Sequence, residues 1–226
     1  MKNRSNNRFS LAVPLLDTFE EFVQGELIQA ALANVFQIQG ISLNAIDRIL
    51  ELLHSNTGAI CEINKKYFAL RDRNHIIFAK KQKSFNINMS IDRIGSYTVG
   101  NYKLILSEVT KNHAGFSSNS NVEFFDMDLV PLRIQLRSWE LGDVFQPIGM
   151  TGTVKVSDFL TNHKVSLLDK QDVLLLATKS DIIWVCGKRL SNKFKVTSDT
   201  KKIIRAELIT NENQSHENKE KIPDRK

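Results

Sequence analysis

The sequence predicts an α+β fold in two parts: an N-terminal helical hairpin with short strands, followed by a C-terminal β-rich domain with one or two short helices. Three observations lead there. Two stretches near the N-terminus, opened by Asp17 and Ser42, carry apolar residues at helical spacing and stop at Gly40 and at Thr57-Gly58. From Ala59 onward the apolar residues fall into short strand-like runs separated by Gly, Asn, Asp and Ser. Those strands alternate with too few helices to build the doubly wound parallel sheet of a nucleotide-binding fold. At 226 residues the chain is long enough to bury two small cores.

Taken in order, Met1 to Leu16 reads as a polar, basic linker. In the first helix Phe19, Val23, Leu27, Ala30 or Ala31, and Val35 are predicted to face inward, with Ile28, Leu32 and Phe36 beside them. The second helix turns Leu43, Ile46, Ile49, Leu50 and Leu53 inward. Strands are expected at Ala59–Ile63, Lys66–Leu70 and His75–Ala79, with Arg71-Asp72-Arg73-Asn74 as a turn. A hairpin pairs Ser96–Val99 with Tyr102–Ser107 around Gly100-Asn101, a dipeptide suited to positive φ. The polar run Lys111 to Ser120 marks the domain boundary, which gives a helical region over 17–115 and a C-terminal domain over 121–209. That domain opens with Val122–Phe125 and Leu132–Arg137, continues through a helix near Val156–Asn162, and adds strands Val173–Ala177, Asp181–Cys186 and Ile203–Ile209. Residues 210–226 are polar and charged and read as a disordered tail.

Charge is concentrated in one place. From Cys186 to Arg205 there are seven bases (Lys188, Arg189, Lys193, Lys195, Lys201, Lys202 and Arg205) against Asp199 alone, which equals the +6 of the whole chain. A basic segment of this kind suits a phosphate backbone, since each neutralised phosphate releases condensed counterions. Arg137 and Arg189 can grip a phosphate with two parallel bonds, whereas Lys155 and Lys164 supply point charges.

Other chemistries find little support. The five histidines have no partner at i+3 or i+4, so no metal site is expected. Cys61 and Cys186 sit in apolar runs and read as buried, reduced thiols. Met1 to Ser10 lacks the apolar core of a signal peptide, and no apolar run approaches the roughly 20 residues of a membrane span, so a cytoplasmic protein is expected. Gly142 to Gly152 is the one glycine-dense loop, and it is interrupted by Pro147. Gly142, Gly149 and Gly152 are read as structural, with Phe145 and Pro147, and Asp143 as the pin of a turn. Trp139 and Trp184 are read as core or domain-interface residues.

The run Leu136-Arg137-Ser138-Trp139, Gly142-Asp143-Val144-Phe145-Gln146-Pro147-Ile148-Gly149-Met150-Thr151-Gly152 and Lys155-Val156-Ser157-Asp158-Phe159-Leu160 resembles the C-terminal domain of the tRNA(Ile)-lysidine synthetase family. The similarity continues through Lys164-Val165, Ile182-Ile183-Trp184-Val185, Gly187, Arg189 and Phe194-Lys195-Val196-Thr197. Upstream, Gly58, Tyr67, Leu70, Asp72 and Arg73 are similar to the family's substrate-binding region. Where the family has two adjacent bases this chain has Val154-Lys155, and where it has a proline this chain has Ser166.

The resemblance implies the tRNA-recognition portion of an enzyme that uses ATP, with Mg, to ligate lysine to the wobble cytidine of the isoleucine tRNA with a CAU anticodon. That reaction converts AUG to AUA decoding. It implies tRNA contacts from Arg137, Lys155, Lys164, Lys188, Arg189, Lys193 and Lys195, and it is compatible with a homodimer. The family's ATP domain carries an S-G-G-x-D-S loop, and this sequence contains no Gly-Gly pair, so no catalytic residue, ATP site or other cofactor is expected in this chain. The chain then reads as a truncation or a separately encoded remnant, inactive alone. The alternative is a freestanding RNA- or protein-binding module without lysidine chemistry.

Overall fold

A computed structural model describes residues 8–81, 86–92, 94–110, 119–131 and 133–210, and the chain divides into two compact units, Met1–Ser84 and Phe85–Lys226. Of the expected tail, Thr210 pairs with Tyr102 at the end of a strand, and 211–226 lie outside the described residues. No helix among them is long and apolar enough to cross a membrane. Cys61 and Cys186 are buried free thiols, and burial pushes both up from their ordinary range.

In the first unit, strand β1 (Arg8–Ala12), β2 (Ile60–Glu62), β3 (Tyr67–Asp72) and β4 (His75–Lys80) form an antiparallel sheet in the order β1-β4-β3-β2. Helices α1 (Val13–Leu16), α2 (Glu21–Phe36) and α3 (Leu43–Glu51) complete it. The stretch before Asp17 is therefore not a linker from residue 8 onward. Phe9 is buried, stacks on Phe78 at 4.7 Å and meets Phe36 at 5.2 Å, so the strand is recruited by a partner almost seventy residues away. Asp17 closes α1 instead of opening α2, which begins at Glu21 without a side-chain cap.

The inward face of α2 is shifted towards the residues expected beside it, with Ala31 and Val35 of the predicted face still against the core. Gln24, Ile28, Ala31, Leu32 and Phe36 are buried, while Phe19, Val23 and Leu27 are exposed. An apolar residue occupies every side of this helix, so spacing alone cannot say which side finds the core. Ser42 does cap α3, its Oγ accepting the Ala45 N–H at 3.3 Å. Ile46, Ile49 and Leu53 point inward there, and Leu43 in the first turn is exposed.

The second unit contains β5 (Asn88–Ile91), β6 (Gly95–Val99), β7 (Tyr102–Val109), β8 (Val122–Asp126), β9 (Ile134–Ser138), β10 (Val144–Phe145), β11 (Val154–Lys155), β12 (Leu174–Ala177), β13 (Ile182–Val185), β14 (Arg189–Leu190) and β15 (Ile203–Thr210), with helices α4 (Val156–Asn162) and α5 (Leu167–Gln171). One sheet has the order β14-β13-β12-β9-β5, another β6-β7-β15-β8, and β10 pairs with β11 alone. Leu136, Leu174, Leu176 and Trp184 of the first sheet share one core with Leu104, Leu106, Phe125 and Ala206 of the second. Strand alternation sends Leu175 and Val185 to the opposite face, where Phe145, Val156, Phe159 and Leu160 cover them.

The division at Ser84/Phe85 falls earlier than the polar run at Lys111 to Ser120 suggests. Strand β7 pairs with β15 along its whole length and β5 pairs with β9, so residues 88–109 fold with the C-terminal strands. Such pairings leave no mark in local composition. The α+β class with a β-rich C-terminal part holds.

Candidate nucleic-acid interface

Arg137 leaves β9 pointing into the loop that follows. Its Nη1 donates to Asp143 Oδ2 at 2.8 Å and its Nη2 to Asp143 Oδ1 at 2.6 Å, while Nη1 also donates to the Ser138 carbonyl at 3.0 Å. Asp143 Oδ2 accepts the Glu140 N–H at 2.7 Å, which closes the turn. Burial alone would push the Asp143 carboxyl up, but the Arg137 fork and the Glu140 N–H outweigh it and hold the group below its ordinary value. The Asp143 hydrogen bonds in turn raise the Arg137 guanidinium. Asp143 thus pins a turn as expected. Arg137, offered by its sequence as a phosphate contact, is instead a half-buried member of that pin.

The loop beyond Asp143 is shaped by two glycines, one buried ring and internal hydrogen bonds. Gly142 and Gly149 take φ of +99° and +84°, which a side chain would resist, whereas Gly152 does not take a positive φ and has open space where a Cβ would stand. Gly152 is therefore not a conformational requirement. Phe145 is buried edge-on against Phe159, with ring centroids 5.1 Å apart. Gln146 Nε2 donates to the Met150 carbonyl at 2.8 Å.

Backbone bonds then stitch the loop to the basic segment. The Ile148 N–H donates to the Leu190 carbonyl at 2.9 Å, the Asn192 N–H to the Gln146 carbonyl at 2.8 Å, and Pro147 bridges Ser191. Arg189, one residue before Leu190, is exposed beside this seam, as is Lys188 in the preceding turn. Its positive charge acts on Glu123, whose carboxyl is pushed up by burial and drawn back by the Phe124 N–H and by Arg189.

Lys155 and Lys164 bracket α4. Lys155 is its exposed N-terminal flank, with Val144 opposite in the β10–β11 pair. Lys164 ends the helix in the left-handed region at φ +56°, where its N–H donates to the Thr161 carbonyl and the Val165 N–H to the Leu160 carbonyl. The seven residues of α4 between these two flanks rise about 10 Å. Val154 packs onto the helix core, so the missing second base is a partly buried side chain. Ser166 caps α5 by accepting the Asp169 N–H at 3.0 Å, which keeps the path after Lys164 ordered without the proline.

The basic window is less positive in space than along the chain. Lys193 pairs with Asp181 at 2.8 Å and Arg205 with Glu207 at 2.8 Å. Lys193, Lys195 and Lys201 line an open cleft of about 560 Å³ with Asp126, Asp128 and Asp199, so its charges balance. Lys155, Lys188 and Arg189 make no ion pair among the described residues, although the Arg189 charge is felt by Glu123. Asp126, Asp128 and Asp181 lie outside the basic window along the chain, so a count within the window misses them, whereas Asp199 lies inside it and Glu207 stands two residues past Arg205 on the same strand. Sequence reasoning also passed over the exposed Leu141, Val144 and Met150 on the loop, of which the Val144/Phe145 out-in alternation of a hairpin was the one available signal. Trp139 packs partly buried against the core around α4, and its Nε1 donates to the Lys170 carbonyl at 2.6 Å.

A domain that carries this pinned loop on a mixed α/β core is of a recognised kind: residues 134–207 match the family model described as the TilS substrate C-terminal domain. The chain is also similar to tRNA(Ile)-lysidine synthases. It is 27% identical to that of Caldanaerobacter subterraneus subsp. tengcongensis over 173 residues, 74% of this chain and 37% of that protein. It is 36% identical to that of Parabacteroides distasonis over 86 residues, 38% of this chain and 20% of that protein. A solved structure described as the TilS C-terminal domain aligns with a TM-score of 0.47 at 16% identity, over 54% of this chain and 97% of the other. The chain spans well under half the length of these curated relatives.

Proposed function

We propose that this chain is the tRNA-recognition portion of a tRNA(Ile)-lysidine synthase. The observation that carries the reading is the rigid Gly142–Gly152 loop stitched to Leu190–Asn192, with Lys155, Lys164, Lys188 and Arg189 around it, inside the segment that matches the family. A-form RNA is read mainly through phosphates and 2′-hydroxyls, so cations fixed on a rigid frame suit it better than a flexible basic stretch. Lys195 and, after release of Asp181, Lys193 extend the surface; an exposed ion pair is worth at most about 1 kcal/mol and yields readily to a phosphate. The full-length enzyme would ligate lysine to the wobble cytidine of the CAU isoleucine tRNA with ATP and Mg. This chain, without a Gly-Gly phosphate loop in its sequence, would bind tRNA and release no pyrophosphate from ATP.

The test compares two triple variants in a gel-shift with CAU isoleucine tRNA, using initiator tRNA as competitor. Replacing Lys155, Lys164 and Arg189 by Ala is expected to weaken binding at least tenfold with little change in melting temperature. Replacing Lys219, Lys221 and Lys226 removes the same formal charge and is expected to leave binding nearly intact. With about four to six phosphates neutralised, log K should fall against log salt with a slope on the order of −3 to −5. Equal losses from both variants, or a flat salt response, would refute the specific surface.

A further inference from the structure

We propose that the outward face of α1 and α2 is a protein-docking surface whose partner presents an apolar centre rimmed by lysine or arginine. Phe22 is 77% exposed, Leu15 62%, Phe19 42%, Leu27 40% and Val23 37%. At 100° per residue Phe22, Glu26, Ala30, Val23 and Leu27 fall on one side of α2, opposite the buried Ile28 and Leu32. A helix that is apolar on every side is one that is buried on every side, and within this unit α2 is covered on one.

Charge selects the occupant. From Phe9 to Asp47 there is no Lys, Arg or His, while Asp17, Glu20, Glu21, Glu26 and Asp47 give five carboxylates in a chain of net +6. Asp17, Glu20, Glu21 and Glu26 are exposed and make no ion pair among the described residues. An acidic rim repels RNA and anionic lipid. Two copies docked through this face would set carboxylates against carboxylates. A basic-rimmed apolar protein surface satisfies both the stripe and its rim.

The experiment titrates the full chain into two labelled amphipathic helical peptides that share a leucine stripe, one flanked by lysine and the other by glutamate, and follows anisotropy at 150 mM salt. The lysine peptide is expected to bind. Phe22→Ser with Leu27→Ser should weaken it at least tenfold, and Glu20→Gln, Glu21→Gln and Glu26→Gln together at least threefold, with circular dichroism unchanged. Equal binding of the glutamate peptide, no binding of the lysine peptide, or binding indifferent to Phe22 and Leu27 would overturn the proposal. Sedimentation showing a dimer that Phe22→Ser dissolves, or tRNA affinity that falls with it, would overturn it in favour of a second copy or of RNA. A tRNA gel-shift that fails for the wild-type chain leaves this test standing, so the two readings fail separately.

Discussion

Helices α2 and α4 show what a sequence can and cannot dictate. The spacing of Val156, Phe159 and Leu160 puts every large apolar group of α4 on one side, and the helix runs from Val156 to Asn162 as that spacing requires. Helix α2 is more than twice as long and richer in apolar residues, yet Phe19, Val23 and Leu27 of its predicted inner face are exposed. Amphipathicity carries information only when the second face is polar; an apolar second face either hides the answer or points to another partner.

The largest expected effect tests that contrast directly. Phe159 is 4% exposed, and Phe159→Ala should cost about 3 to 5 kcal/mol in urea unfolding of the second unit. Phe22→Ala removes the same ring from α2 and should change stability by no more than about 0.5 kcal/mol. Comparable losses would mean that α2 is buried on both sides within this chain.

An intermediate effect is expected at the turn pin. Arg137→Ala leaves Asp143 half-buried and without its fork, and should cost about 2 to 3 kcal/mol at neutral pH. The folded Asp143 carboxyl lies below its ordinary value of 3.8, so the pair stabilises above that pH and its contribution is lost as pH falls through the lower, folded value. The wild-type protein should therefore lose stability more steeply than Arg137→Ala as the pH is lowered below about 4, in parallel urea titrations. A constant gap between the two would show that the pair acts by packing alone.

The same division explains which parts were legible. The Gly100-Asn101 hairpin, strands β3, β4, β12 and β13, and α4 follow from local alternation, turn residues and caps, and all lie within two residues of expectation. Strand β1, strand β5 and the early division at Ser84 follow from partners far along the chain, which no local window contains. The candidate interface divides likewise. The turn role of Asp143 is local, whereas the capture of Arg137 and the balancing of Lys193, Lys195 and Lys201 by Asp126, Asp128 and Asp181 exist only after folding.

The smallest effect is the most discriminating. Both helices end on a non-glycine residue in the left-handed region, Gln37 after α2 and Lys164 after α4, each at φ +56°. A side chain costs about 1 to 2 kcal/mol there, and glycine recovers part of that after its larger unfolded-state entropy is counted. Gln37→Gly and Lys164→Gly are each expected to raise stability by about 0.5 to 1 kcal/mol, read as a shift in urea midpoint. Their effects on tRNA should then part. Gln37 belongs to the unit with the acidic face, and its replacement should leave binding unchanged. Lys164 holds its strained backbone while carrying a proposed phosphate contact, so Lys164→Gly should be more stable and bind tRNA several-fold more weakly. If Lys164→Gly is stabilised and binds as the wild type does, the lysine is a helix terminator only, and the contact belongs to Lys155, Lys188 and Arg189.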